Sequence, residues 1–153
     1  MDRARFISKL NEAIALELGA LLQYNQYAQV LLGTDRKIWE DFFKHSSDEA
    51  LEHARRFASR VVALGGVPTV EPEPVKQTND IREMLTNSLE VERRAVAVYV
   101  EALSLCEDHA GYRNLLEDQI QEETDDVEEL EKYLNQVAKT ESGRPGKRSS
   151  RTA

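Results

Sequence analysis

An all-α fold of four long helices is what this chain predicts, and three observations carry the reading. Its seven glycines and four prolines fall at 19, 33, 65–74, 111 and 143–146, which leaves long uninterrupted stretches. Each stretch repeats apolar residues at alternating steps of three and four, the pattern of a helix that buries one face. No segment alternates like a half-buried strand. At 153 residues the chain suits one domain rather than two.

The first helix is expected near 3–32, with Leu10, Ile14, Glu17, Leu21, Tyr24, Ala28 and Leu31 on its inner face. A second follows near 35–64, capped by Thr34 or Asp35, with Trp39, Phe43, Ser46, Ala50, His53, Phe57 and Leu64 inward. Gly65-Gly66 closes it. Residues 65–79 hold three prolines and read as an extended connection. About 14 extended residues reach at most about 46 Å, and a helix of about 30 residues is about 45 Å long, so this connection can run the length of a bundle. Thr78 or Asn79 opens a third helix near 80–107, carrying Leu85, Leu89, Glu92, Val96, Tyr99 and Leu103 inward. The last, near 112–138, presents Leu116, Ile120, Glu123, Val127, Leu130, Leu134 and Val137. The links at 33–35 and 108–111 are short enough only for antiparallel neighbours. Two antiparallel hairpins joined by one crossover, forming a domain over 1–138, is the architecture expected.

Composition narrows the function classes. Hydrophobic residues make up 41% and charged residues 31%, enough for one core under a charged surface. The single cysteine, Cys106, excludes an intramolecular disulfide and a Cys-rich zinc site, and a reducing cytoplasm is the expected location. No run approaches the roughly 18 to 20 apolar residues of a membrane span, so no membrane partner is expected. The net charge of −8 is uneven: residues 139–153 carry five basic residues against one acidic, leaving the tail at +4 and the rest at −12. Glycine, proline, serine and threonine dominate that tail, which reads as disordered and too poor in large apolar residues to pack a fifth helix.

Each apolar stripe is interrupted near its middle by one ionisable residue: Glu17, His53, Glu92 and Glu123. In an antiparallel bundle the midpoints share a layer, and Asp126 lies one turn beyond Glu123. Burying several carboxylates without compensation costs many kcal/mol or forces protonation. No lysine or arginine is in phase except Arg60, toward a helix end. Two divalent cations would neutralise four carboxylates, and oxygen donors with one imidazole suit iron or manganese. An internal repeat supports paired hairpins: Glu17 is followed seven residues later by Tyr24, and Glu92 by Tyr99. Both tyrosines read either as core aromatics whose hydroxyls need partners or, for Tyr24, as a ligand's hydrogen-bond partner or an electron donor.

Glu17 with Tyr24, His53 followed by Ala-Arg-Arg-Phe and Leu-Gly-Gly-Val-Pro, Asp-Ile-Arg-Glu-Met-Leu leading to Glu92, and Glu-Glu-Thr-Asp-Asp at 122–126 resemble bacterioferritins and Dps-like ferritins over about residues 5–137. In ferritin-like di-iron proteins one Glu comes from each of two helices and a Glu-x-x-His from each of the others. The resemblance implies that Glu17 and His53 hold one iron, Glu92 and Asp126 the other, and Glu123 bridges. It implies oxidation of ferrous iron by oxygen or peroxide, with storage or detoxification. Two positions depart from the pattern: Ala50 stands three residues before His53, and Asp126 stands where a histidine is expected. Glu49, at i−4 from His53, is the candidate replacement ligand. Leu51 occupies the haem-ligating methionine position of bacterioferritins, so no haem is expected. Self-association through dimers into a closed shell of twelve, and weak DNA contact through the basic tail, are the further expectations. The alternatives are a di-metal peroxidase or catalase-like enzyme resembling rubrerythrins or manganese catalases, and a bundle with a degenerate site kept for assembly or DNA contact.

Overall fold

The computed structural model describes residues 1–142, with side chains through Asn135. Its helices are α1 (Arg3–Val30), α2 (Arg36–Ala63), α3 (Ile81–Ser104) and α4 (Ala110–Ser142), and there is no strand among the described residues. None of these helices is long and apolar enough to cross a membrane. α4 runs four residues past the boundary at 138, so the expected tail begins in helix. The remainder of the tail, 143–153, lies outside the described residues, as does the side chain of Val137.

Local chemistry sets the helix ends. Asp2 caps α1 by accepting from the Arg5 amide at 3.2 Å. Asp80, not Thr78 or Asn79, caps α3, accepting from the Glu83 amide at 2.9 Å. Thr78 instead donates its hydroxyl to the Glu83 carboxylate at 2.6 Å, closing the turn from the other side. Asp35 occupies the start of α2 without a side-chain cap bond, and the Arg36 amide is taken by the Gly33 carbonyl. At the end of α2, Gly65 sits at φ 82°, a left-handed conformation open to glycine, and the Gly66 amide returns to the Val61 carbonyl.

The bundle follows the expected order. Ser47 of α2 donates to the Leu21 carbonyl of α1, Asn87 of α3 reaches Tyr27 of α1, and Arg93 of α3 pairs with Glu131 of α4. Each of these contacts joins helices running in opposite directions. Residues between α2 and α3 lie along α1 as a strap. Asn11 brackets Val67 and Thr69, the Glu73 amide donates to the Ala15 carbonyl at 2.8 Å, and Lys76 is held by Gln23 and Tyr27.

Two apolar clusters fill the interior. One gathers Phe6, Leu10, Ile14, Phe57, Val61, Tyr99 and Leu116; the other gathers Tyr24, Tyr27, Phe43, Met84, Leu85 and Leu130. The stripes are wider than the heptad reading. α1 also buries Ala13, Leu16, Gly19, Ala20, Gln23 and Tyr27 because the strap covers a second face. α3 buries Ser88, Ala95, Val98 and Ala102 beyond the expected set.

Gly19 tests the strap. A Cβ there would stand 2.9 Å from the Glu73 carbonyl oxygen, which is backbone and cannot swing aside. Gly19→Ala should cost about 1–3 kcal/mol in chemical denaturation through overpacking. Gly111→Ala, whose new Cβ would meet nothing nearer than 3.7 Å, should be neutral or stabilising in the same measurement.

Candidate metal centre

The layer between the two apolar clusters is polar. Glu17 from α1, His53 from α2, Glu92 from α3 and Glu123 from α4 are each at least nine-tenths buried there. Each is held at that depth by apolar residues one turn away on the same stripe: Ile14, Phe57, Leu89 and Val127 among them. Glu17, His53 and Glu123 bring one donor atom each to within 4.8 Å of one another. Nδ1 of His53 is 3.5 Å from Oε1 of Glu17 and 2.8 Å from Oε1 of Glu123. That Glu123 oxygen, although close to Nδ1, has no aligned hydrogen-bond donor. A fully buried carboxylate oxygen without a donor is rare. Two carboxylates and an imidazole with an orphaned oxygen between them fit a divalent cation of the iron and manganese type.

Glu92 faces the same layer but is engaged differently. Tyr24 of α1 donates its hydroxyl to Oε1 of Glu92 on α3, and Tyr99 of α3 donates to Oε1 of Glu17 on α1. The sequence repeat Glu17–Tyr24 and Glu92–Tyr99 is therefore realised as a crossed pair of bonds between the two hairpins. Glu92 and Asp126 line one cavity of about 30 Å³ together with Tyr24, Ser46, Ser88 and Glu129, room for about one water. Asp126 is half-buried at this cavity and outside the three-donor cluster. Ala50 is buried and presents only a methyl group. Glu49 is half-buried, pairs with Nε2 of His45 at 3.1 Å and stands outside the three-donor cluster.

Sequence reasoning missed Glu122. Its Oε2 is 3.0 Å from Nε2 of His53, on the ring edge opposite the cluster. It lies off the heptad stripe, so periodicity does not single it out, and only the packing of α2 on α4 brings it to the imidazole.

The electrostatics follow from crowding like charges in an apolar layer. Burial, helped by the charges of Glu123 and Asp126, raises Glu17 to about 7 despite the opposing pull of His53. Burial and then Glu123 push Glu92 well above the carboxylate range. Burial, then Glu49 and Glu123, bring Asp126 to about 6. Burial lowers His53, but the adjacent carboxylates of Glu123 and Glu17 outweigh it and raise the ring to about 11. Without metal, the imidazolium is thus the layer's own counterion.

This four-helix bundle with an acidic layer and an inward imidazole belongs to the ferritin-like domain family, whose pattern matches residues 7–140. Among its relatives, the bacterial ferritin of Pseudomonas aeruginosa is 27% identical over 136 residues, covering 87% of this chain and 88% of that protein. Bacterioferritin of Brucella melitensis is 28% identical over 147 residues, covering 93% and 90%. A ferritin-like, diiron-carboxylate protein of Bacillus anthracis superposes with a TM-score of 0.85 at 32% identity, over 88% of this chain and 98% of that one. A dodecameric thioferritin of Bacteroides fragilis shares the fold with a TM-score of 0.85 at 24% identity, over 93% and 91%.

A carboxyl raised on folding stabilises the native state while protonated and loses that contribution as pH climbs to the folded value. In metal-free protein, Glu17→Gln should therefore match wild type near pH 4.5 and become progressively more stable than it up to about pH 7. The gain should be on the order of 3 kcal/mol. Denaturation of chelator-treated proteins across pH 4.5–8 measures it.

Proposed function

We propose that this protein binds ferrous iron inside the bundle, oxidises it and passes ferric iron on for storage or detoxification. The observation carrying the reading is the buried Glu17–His53–Glu123 cluster with its donorless Glu123 oxygen. Membership of the ferritin-like family and the names of the relatives support iron as the substrate.

Iron enters this scheme as substrate. Glu17, His53 and Glu123 hold the first ion, and Glu92 and Asp126, which share a cavity beside it, take the second, with Glu123 between the two. Oxygen or peroxide is the oxidant. Manganese fits the same donors, and the alternative activity for them is peroxide chemistry without storage. Carboxylate donors favour the ferric state, and release of the imidazolium proton of His53 and the carboxyl proton of Glu17 offsets the two positive charges of the arriving cation. Tyr24 and Tyr99 keep the two glutamates aimed across the hairpins. Ala50, where the Glu-x-x-His pattern has a glutamate, adds no donor, so the second position depends on Asp126.

Metal analysis of purified protein should find iron or manganese bound in the bundle. Glu123→Ala should abolish ordered ferrous oxidation followed by absorbance, whereas Ala50→Glu should leave it intact or raise it. Absence of bound metal with no oxidation above the buffer rate would favour the degenerate-site reading.

We also propose self-association into a closed shell of twelve in the cytoplasm. An apolar groove along α1 and α2, lined by Leu18, Leu51, Ala58 and Val70, supports a second copy, as do the exposed Val62 and Val67 nearby in sequence. Light scattering should give a mass of twelve chains; a monomer or twenty-four would refute it. Weak contact of the basic tail with DNA is tested by gel shift of intact protein against a version ending at Val137, with loss of retardation expected on truncation.

A further inference from the structure

We propose that Glu73, in the run Pro72-Glu73-Pro74, is a positioning residue: it clasps α1 to α3 at the height of Glu17 and Glu92 and so holds the two glutamates in register. The proposal rests on the reading of the Glu17–His53–Glu123 cluster as a cation site.

The sequence makes this run rigid. Proline fixes its own φ and keeps the residue before it extended, so Pro72 and Pro74 leave Glu73 little freedom. Neither proline has an amide hydrogen. The one donor of the run, the Glu73 amide, is spent on the Ala15 carbonyl of α1 at 2.8 Å, and the Glu73 carbonyl oxygen would stand 2.9 Å from any Cβ at Gly19. Ala15 and Gly19 flank Glu17 two residues to either side, about 200° around the helix from it. The Glu73 carboxylate reaches the other way, to Nη1 of Arg94 on α3 at 3.6 Å. Arg94 is exposed two residues past Glu92, again on the back of its helix. One strap residue therefore grips both helices behind the polar layer.

α1 and α3 run antiparallel, and their contacts keep one register throughout: Lys9 with Glu101, Glu17 with Tyr99, Tyr24 with Glu92 and Tyr27 with Asn87. The strap repeats that register from outside. Lys76, its amide held by Gln23 and its carbonyl by Tyr27 of α1, pairs through Nζ with Glu90 of α3, one turn from Arg94. A slip of α3 by one turn, about 5.4 Å, sets either Glu73 against Glu90 or Lys76 against Arg94, and it takes both tyrosines off their glutamates. Repulsion in the wrong register specifies the right one. The paired side chains are 30% to 58% exposed, so neither pair adds much stability. A centre whose donors come from separate helices binds in proportion to the time they spend together, and that fraction is what the clasp governs.

The test is a double-mutant cycle read by anaerobic Co(II) titration of the intact protein. Glu73→Lys and Arg94→Glu each set like charges at the clasp, and each should lower affinity about 3- to 10-fold. Combined, they restore an opposite pair and should recover most of the binding. The sign for Arg94→Glu is diagnostic, because an added negative charge by itself attracts a cation. Glu71→Lys, the same charge change on an exposed strap residue two positions away, should bind close to wild type. Near-ultraviolet tyrosine circular dichroism of the metal-free single variants should depart from wild type and return in the swap. A residue that only adds stability would shift the denaturation midpoint and leave both affinity and dichroism alone. Additive effects in the cycle, tighter binding by Arg94→Glu, or a loss in Glu71→Lys equal to that in Glu73→Lys would overturn the clasp. Should Glu73→Lys fail to fold, Glu73→Ala and Arg94→Ala form the cycle: a double variant no weaker than either single supports the clasp, and additivity overturns it. Glu123→Ala separates the two levels. If it abolishes Co(II) binding while the cycle is additive, only the clasp falls. If Glu123→Ala binds as wild type, the cation site falls and the proposal with it.

Discussion

The interior of this bundle is organised around a charge problem. Three glutamates and a histidine are buried in one layer between two apolar clusters, and carboxylates so placed must be protonated, paired or neutralised by a cation. The helices satisfy this in several ways at once. His53 serves as counterion to Glu17 and Glu123, tyrosines donate to Glu17 and Glu92, and one oxygen of Glu123 is left without a donor. Apolar packing on either side prevents the layer from relaxing into solvent, which is why the leftover valence points to a metal ion.

The crossed tyrosine bonds tie this chemistry to the architecture. Tyr24 of α1 serves a glutamate of α3, and Tyr99 of α3 serves a glutamate of α1, so each hairpin's glutamate takes a tyrosine hydrogen bond from the other hairpin. Pairing of the hairpins and orientation of the two buried glutamates are the same event. The strap running along α1 reinforces it, because Glu73, Lys76 and their partners hold the connection against the helix that carries Glu17. A covered second face also explains why α1 is apolar around more of its circumference than a two-neighbour helix needs.

The centre is uneven. On one side the Glu17–His53–Glu123 cluster brings its donor atoms together; on the other, Glu92 is engaged by Tyr24, Asp126 stands half-buried at a small cavity, and Ala50 contributes no donor. A ferritin-like bundle thus retains the acidic layer, with the shorter side chain of Asp126 on the side away from that cluster. Glu122, Gln119 and Arg56 support the first side from the seam between α2 and α4.

The four helices, their antiparallel order and the crossover were legible in the chain because helical periodicity and the spacing of glycine and proline are local properties. The depth of Glu17, His53, Glu92 and Glu123 was legible for the same reason: an ionisable residue in phase with an apolar stripe has nowhere else to go. The cap of α3 at Asp80 and the extension of α4 to Ser142 were not, since several neighbouring residues can end a helix and side-chain geometry selects among them. Distances between helices lay further out of reach. That Tyr99 serves Glu17, that Glu49 turns to His45, and that Glu122 meets His53 depend on the rotation of each helix about its own axis. Sequence by itself determined which residues enter the layer; the packing of four helices decided which atoms meet there, because a rotation too small to change burial is enough to exchange one hydrogen-bond partner for another.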